Sequence, residues 1–183
     1  IHSAASFKFL PSQRLFSTAH ARRAGQTDSL TMTYSNVEAG FVDLMQLQLL
    51  AGKVFSLERP AEQSGALLLN RAATRALGFA TPEEAIGAPI AYSRSGSGNP
   101  QAHVWGVVED FHFESLHHQI KPMALHQGSL YYYAGVKIRA QSFQETFDFV
   151  TETWDQLVPH LPFQPWFLDE DFAQRYRAER RLG

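Results

Sequence analysis

The segment 106–122 constrains the fold of this chain more than any other stretch. It begins as an apolar strand, and the strand meets two acids, Glu109 and Asp110. Over the next four positions aromatic and polar side chains alternate. Because alternate side chains of an extended chain face opposite ways, one face of this stretch is apolar. The segment is predicted to be a structural turn from a strand to a helix, with Phe111 and Phe113 buried.

Short strand patterns alternate with short helix patterns along the rest of the chain. One strand is predicted near the start, followed by an exposed loop that reaches residue 30. The other predicted strands cover residues 31–36, 66–69, 89–93, 103–108, 123–126, 130–138 and 163–168. The predicted helices cover residues 41–49, 71–77, 82–85, 143–157 and 169–180. Interspersed elements with hairpin signals favour an α+β fold with mixed or antiparallel sheets over a doubly wound parallel sheet.

Three of the predicted helices begin at recognisable caps. Asn70 follows an apolar strand and is a preferred N-cap residue. Thr81, with Glu84 three residues later, has the pattern of a capping box, and so does Ser142 with Glu145. These signals predict where the helices start, independently of what they pack against.

Composition excludes several classes of function. The 183 residues include 44% hydrophobic and 19% charged residues, which is typical of a globular fold. The formal net charge of −2 gives no broad electrostatic attraction to nucleic acid, and none is expected as a partner. The absence of cysteine excludes disulfides, thiolate catalysis and cysteine-ligated zinc within this chain.

The two ends of the sequence favour a piece of a longer protein. Residues 1–5 include neither an initiator methionine nor a signal-peptide pattern, and no apolar run reaches the length of a membrane span. The last predicted helix has an apolar stripe and ends in arginines. Either it is an ordinary surface helix, or it continues into lipid with its arginines among the headgroups. The residues concerned are Phe172, Ala173, Tyr176, Arg175, Arg180 and Arg181.

Two catalytic hypotheses centre on the same segment. His112, His117 and His118 fall within seven residues, near three acids, and such a cluster is one pattern of a metal site. An extended chain would turn His112 away from the other two, so solvated histidines are the favoured interpretation. Ser115 lies between Glu114 and a histidine, but no nucleophile-elbow pattern surrounds it. We expect neither a catalytic residue nor a metal or cofactor site.

Two further motifs suggest ligand binding, and each has a simpler interpretation. The stretch 96–98 (Gly-Ser-Gly) could be a phosphate loop, but it precedes a strand rather than a helix, which favours a hairpin tip. Tyr131, Tyr132 and Tyr133, near Lys137 and Arg139, could form a stacking platform. Because a strand alternates its faces, Tyr131 and Tyr133 should share one face, and Tyr132 should take the other.

Five segments match, in order, the pattern of one known family. They are Phe41 to Phe55, Leu67 to Gly78, Glu84 to Gly87, Gly106 to Pro122 and Phe167 to Arg180. Together they resemble the extracytoplasmic core domain of MacB-like and FtsX-like ABC transporter permeases. Lys53 departs from the pattern, since arginine is usual at that position. The first 36 residues carry no part of the resemblance.

The resemblance implies a non-catalytic periplasmic domain on the outer side of the bacterial inner membrane. It implies a porter-like lobe from both chain ends (1–36 and 123–183) and an inserted lobe (37–122). Its partners would be the transmembrane helices of the permease and an ABC ATPase subunit, with a periplasmic adaptor or a peptide or lipoprotein substrate as further candidates. The domain would couple ATP-driven movement to export or extraction. The alternative is a peptide-sensing domain with a groove lined by Tyr131, Tyr133 and the 94–100 loop.

Overall fold

The computed structural model of the protein describes residues 2–9, 17–58, 63–94, 101–113, 119–128 and 130–168. The strands in these ranges are β1 (Ser3–Phe7), β2 (Ser17–Arg23), β3 (Leu30–Asn36), β4 (Leu49–Gly52), β5 (Ala66–Asn70), β6 (Pro89–Arg94), β7 (Gln101–Val108), β8 (Met123–His126) and β9 (Tyr133–Lys137). The helices are α1 (Phe41–Leu44), α2 (Arg71–Ala76), α3 (Pro82–Ala85) and α4 (Phe143–Leu157), with a 3-10 turn at Ala140–Ser142. The predicted α+β class with mixed sheets is confirmed.

The chain divides into two units. The larger unit is Ser3–Gly135, and the smaller unit is Ile1–His2 together with Val136–Gly183. The larger unit holds strands β1 to β8 and helices α1 to α3, and the smaller unit holds α4. The predicted lobes (1–36 with 123–183, and 37–122) stay a prediction.

Six strands of the larger unit close into a barrel. Hydrogen bonding runs in the order β7-β5-β8-β3-β2-β6, and β6 pairs again with β7. The β3–β8 and β5–β7 pairs are parallel, and the other pairs are antiparallel. Strand β6 pairs with the first residues of β7, and β4 pairs with the later ones. The predicted hairpin of β6 and β7 is confirmed, while β1 and β9 form a separate two-stranded sheet.

Small side chains let this narrow barrel close around its core. Ala19 and Ala21 face inward from β2, beside Met32 of β3 and Tyr92 of β6 respectively. A barrel of few strands has room for one layer of side chains, so a small residue must face a large one. Helices α2 and α3 cover one end, where Leu77 joins the same core.

A second hydrophobic cluster lies outside the barrel wall. It packs the outward residues of β5, β7 and β8, such as Leu68 and Leu125, against β1 and α1. Phe7 and Phe41 meet edge to face, with ring centroids 5.6 Å apart. Strands β5 and β8 are therefore buried on both faces, which explains why their sequences are apolar up to Leu69 and Leu125.

Two predicted helix caps are confirmed. The Asn70 side chain accepts a hydrogen bond from the Ala73 amide at the start of α2. The Thr81 hydroxyl accepts from the Glu84 amide at the start of α3. The Glu84 carboxylate returns to the amide of Ala80 rather than that of Thr81, so the box closes one residue earlier.

The helix predicted over residues 41–49 is wrong beyond its first turn. Helix α1 ends at Leu44, and Gln46 then adopts a left-handed conformation with φ of 53°. The chain continues as β4, because the edge of β7 offers unpaired backbone groups there. Gly52 therefore ends a strand, with φ of 78°, and does not stop a helix.

Two predictions in less regular regions are also wrong. Residues 17–23 form β2, although the sequence there was expected to be a loop. Residues 163–167 form no strand, because Phe163 and Phe167 pack on the Phe147 ring of α4 instead.

Helix α4 has its predicted limits, but the Ser142 side chain makes no cap bond. The predicted strand over 130–138 is confirmed only at Tyr133–Lys137, and the helix expected from Asp169 lies outside the described residues.

Candidate functional site

The two acids that follow β7 bind the start of α2. The Asp110 carboxylate accepts the Ala72 amide at 2.7 Å and pairs with Arg75 at 2.9 Å. Glu109 pairs with Arg71 at 3.1 Å. A carboxylate at a helix N-terminus satisfies free amides and favours the helix dipole. Both acids therefore have structural partners.

The aromatic residues that follow are packed as a pair. Phe113 is buried in the outer cluster, and Phe111 is half-buried against the same cluster. Their rings meet edge to face at 5.9 Å. The predicted burial is confirmed for Phe113 and is partial for Phe111. His112, between them, is exposed, as the alternation predicts.

The histidine cluster is only partly within the described residues. Outside them lie His117, His118, Glu114 and Ser115. The hypothesis of a serine nucleophile therefore also concerns residues outside the described ranges. Within the described ranges, no group of three or more His, Asp or Glu side chains comes together as a metal site would require. The stretch 96–98 likewise lies outside the described residues, and only its flanking strands are seen.

The three consecutive tyrosines alternate as predicted. Tyr132 is 63% exposed, while Tyr131 and Tyr133 are half-buried. Tyr133 stacks on Phe7 at a centroid distance of 6.1 Å, and burial raises the pKa of Tyr131. Tyr133 thus packs on Phe7, and Tyr131 is only partly exposed. Arg139 is exposed and Lys137 half-buried in the smaller unit.

A polar cluster at one end of the barrel was not predicted from the sequence. His126 is buried, its Nδ1 contacts the Gln127 carbonyl at 2.9 Å, and its Nε2 contacts Arg94 at 3.3 Å. Its ring lies 5.3 Å from that of Tyr34 and 6.2 Å from that of Tyr92. Burial, with Arg94 and Lys8 nearby, lowers the pKa of His126 to about 4, so the ring is neutral at physiological pH.

The signal that could have identified this cluster is the strand alternation itself. Arg94 follows Ile90 and Tyr92 at alternate positions of β6, and His126 follows Ala124 on β8. An inward-facing arginine at the end of an apolar series is unusual, because a buried charge requires a partner. Sequence reasoning missed this signal, since it did not predict barrel closure.

The exposed face of α4 carries an apolar groove of about 320 Å³. Phe149 and Leu157 are mostly exposed along it. Its lining consists of Phe149, Val150, Thr153, Trp154, Leu157 and Val158. The four acids of α4 and the absence of basic residues make the rest of the helix strongly negative. The groove offers apolar contact and no set of polar groups for catalysis.

Arginines at the expected end of the chain lie outside the described residues. The apolar stripe predicted for the last helix, with Phe172 and Tyr176, lies outside them as well. Among the described residues, no helix has both the length and the apolar character needed to cross a bilayer.

Comparison with known proteins gives likeness of fold. No family model and no curated protein sequence matches the chain. Solved structures do match, among them the following three. The periplasmic region of MacB from Actinobacillus actinomycetemcomitans has a TM-score of 0.56 and 13% identity, covering 86% of this chain and 67% of its own. The extracellular domain of the ABC-type transporter YknZ from Gram-positive bacteria has a TM-score of 0.56 and 12% identity, and the match covers 85% of this chain and 75% of that one. A domain of a protein described as a permease from Porphyromonas gingivalis has a TM-score of 0.58 and 15% identity, and the match covers 94% of this chain and 83% of that one.

Proposed function

We propose that this chain, which has the fold of the MacB-like periplasmic domain, is the non-catalytic extracytoplasmic domain of an ABC transporter permease. The observation that carries the proposal is the likeness in fold, across most of the chain, to the periplasmic region of MacB, the extracellular domain of an ABC-type transporter and a domain of a protein described as a permease. The domain would lie on the periplasmic side of the bacterial inner membrane. It would couple movements of the transmembrane helices, driven by an ABC ATPase subunit, to export or extraction of a substrate.

The roles of the polar residues support a mechanical rather than a chemical function. In the segment after β7, Glu109 and Asp110 bind the start of α2, and Phe113 fills the outer cluster. A domain that transmits movement needs stiff units, and these contacts join β7 to α2. General acid–base catalysis would need such groups free to reach a substrate.

The peptide-sensing alternative rests on weaker support. Its groove required free faces on Tyr131 and Tyr133, and both rings are half-buried, with Tyr133 stacked on Phe7. A periplasmic adaptor, or a peptide or lipoprotein substrate, remains the proposed class of further partner.

The coupling proposal is tested by distance measurement in the full-length permease with its ATPase. This chain adds no cysteine of its own, so in a cysteine-free permease and ATPase the spin labels attach only at Thr18→Cys in the larger unit and Gln156→Cys in the smaller one; both positions are exposed. Pulsed electron resonance should show a different label-to-label distance with ATP than without it. The matched control is Thr18→Cys with Glu83→Cys, both within the larger unit, whose distance should stay constant. Distances unchanged by ATP in both pairs would contradict coupling.

A further inference from the structure

Strand register brings the polar cluster to one end of the barrel. On β2, Ser17 and Ala19 face inward, and they lie beside Tyr34 and Arg94 respectively. His126 is paired with Asn36 at the end of β3, so it belongs to the same end. The opposite end is the one that α2 and α3 cover. Ligand sites occur preferentially in the mouths of β-barrels.

Two cations share one aromatic ring at this end. The Lys8 Nζ lies 5.6 Å from the centre of the Tyr34 ring, and the Arg94 guanidinium carbon lies 5.8 Å from it. Lys8 donates to the Ser17 hydroxyl at 3.4 Å, and Arg94 contacts His126 Nε2. Cation–π contacts orient these groups, but they do not neutralise them.

No carboxylate within the described ranges pairs with these charges. Among the described residues, neither Lys8 nor Arg94 forms an ion pair, whereas Arg23, Arg71 and Arg75 each pair with an acid within 3.2 Å. The sequences that follow the two cations, residues 10–16 and 95–100, contain no Asp or Glu. Since His126 is neutral, the part of the cluster that the structure describes carries two positive charges and no negative one.

A buried donor in the cluster also lacks an acceptor. The hydroxyl of Tyr92 is buried and has no hydrogen-bond partner among the described residues. Tyr92 is only 3% exposed, and the centroid of its ring lies 6.5 Å from that of Tyr34 and 6.2 Å from that of His126. An unpaired buried hydroxyl is unfavourable unless something supplies the missing partner.

We propose that this barrel mouth binds a phosphate group, either as free phosphate or as a phosphomonoester. A phosphate carries close to two negative charges near neutral pH, which matches the two unpaired cations. The Arg94 guanidinium can donate two parallel hydrogen bonds to phosphate oxygens, while Lys8 acts as a point charge. This role does not depend on the proposed transport function.

The test is titration of the isolated chain with sodium phosphate, at constant ionic strength set by chloride, followed by calorimetry and by the NMR signals of His126 and Arg94. Constant ionic strength matters because salt screens exposed charges. We expect saturable binding in the millimolar range or tighter. Arg94→Gln and Lys8→Gln should each weaken it by about tenfold or more, since each removes a charge-assisted contact. A parallel titration with glycerol phosphate distinguishes a phosphomonoester from free phosphate by which of the two binds more tightly.

The matched control is Lys53→Gln. Lys53 also lies over an aromatic ring, 5.5 Å from the centre of Trp105, and it forms no ion pair among the described residues, but it is outside the barrel mouth. Its replacement should leave phosphate binding unchanged. Arg94→Lys keeps the charge and tests the guanidinium fork; it should bind at an intermediate strength if the protein's melting temperature shows that it is folded. The proposal is overturned if the wild-type chain shows no saturable binding, if Lys53→Gln is as weak as Arg94→Gln, or if chloride alone gives the same shifts.

Discussion

Asn70 shows how one buried side chain joins three parts of the larger unit. Its Oδ1 accepts from the amides of Ala73 and Met123, each at 2.9 Å. Its Nδ2 donates to the Lys121 carbonyl, also at 2.9 Å. The residue thus caps α2 and fixes the chain where it enters β8. A single side-chain amide thus satisfies two buried backbone amides and one part-buried carbonyl.

Replacing Asn70 should be far more destabilising than replacing an exposed cap. Asn70→Ala removes the partner of two buried backbone amides and of one part-buried carbonyl, and we expect a loss of about 3 kcal/mol in the free energy of unfolding. Thr81→Ala removes an exposed cap bond at the start of α3 and should cost about 1 kcal/mol or less. Urea unfolding of both variants measures the difference. Equal losses would mean that the bonds to Lys121 and Met123 contribute nothing.

His126 should make the protein sensitive to mild acid. Its pKa is lowered to about 4 in the folded protein, chiefly by burial, from about 6.5 in the unfolded chain. The unfolded state therefore binds a proton at a higher pH than the folded state does. The contribution of the neutral His126 to the free energy of unfolding is complete above pH 6.5 and is lost as the pH drops towards 4. The shift corresponds to a loss of about 3 kcal/mol over this window. Lys8, Arg94, Tyr34 and Tyr92 are the charged and titratable groups that face the ring.

The measurement is urea unfolding of the wild type and His126→Gln at a series of pH values. The variant should lose most of the decline between pH 6.5 and 4. His160→Gln, at an exposed position, is the control and should keep the wild-type decline. A decline that persists unchanged in His126→Gln would show that other groups cause it.

At the scale of elements, β4 and β7 approach each other through two glycines. A Cβ built on Gly106 would collide with the carbonyl oxygen of Lys53 and would lie 2.9 Å from Leu68 Cδ2. A Cβ on Gly52 would collide in the same way with the carbonyl of Trp105. The Lys53 amide donates to this carbonyl at 3.1 Å, which holds the two chains together. The absence of side chains is therefore what lets β4 extend the sheet.

Gly106→Ala should displace β4 from β7. Because the new methyl group meets backbone atoms that cannot rotate away, we expect a loss of about 2 kcal/mol or more. Gly87→Ala is the matched control: its φ is 76°, but its Cβ would meet no atom within 4 Å, so it should cost only about 1 kcal/mol of backbone strain. Thermal unfolding and the hydrogen exchange of β4 amides measure both. A smaller effect at Gly106 than at Gly87 would contradict the close approach.

At the scale of the whole molecule, burial differs sharply between the two units. Every residue of β5 and β8 is buried, whereas among the residues of α4 only Thr146 is. The aromatic side chains of α4 pack on each other and on the segment that follows, as in the Phe147–Phe163 contact at 5.9 Å. Local opening is easiest where few apolar contacts must be broken.

Native-state hydrogen exchange should therefore separate the units. Amides of β5 and β7 should exchange only through opening of the barrel, while those of α4 should exchange at least about tenfold faster through local opening. Mass spectrometry of exchanged peptides gives both rates. Helix α2, which is short but belongs to the larger unit, is the reference that separates an effect of helical structure from an effect of the unit. Equal protection of α4 and β5 would show that the chain opens as one cooperative body.

The sequence by itself determined the features that depend on neighbours along the chain. The caps at Asn70 and Thr81, the limits of α4 and the alternation of Tyr131 and Tyr132 were predicted because local hydrogen bonds and strand geometry decide them. The α+β class follows from the same local patterns, and the family resemblance agrees with the fold of the solved structures.

Only the tertiary structure decided the features that depend on distant contacts. Strand β2 and the change of Leu49 from helix to strand need the edges of β3, β6 and β7, which no local pattern reveals. The polar mouth of the barrel is of the same kind, since Lys8, Arg94 and His126 are far apart in sequence and meet only when β6 and β7 close the sheet. Closure is a property of six strands together, and the sequence of each strand specifies only which side chains face one way.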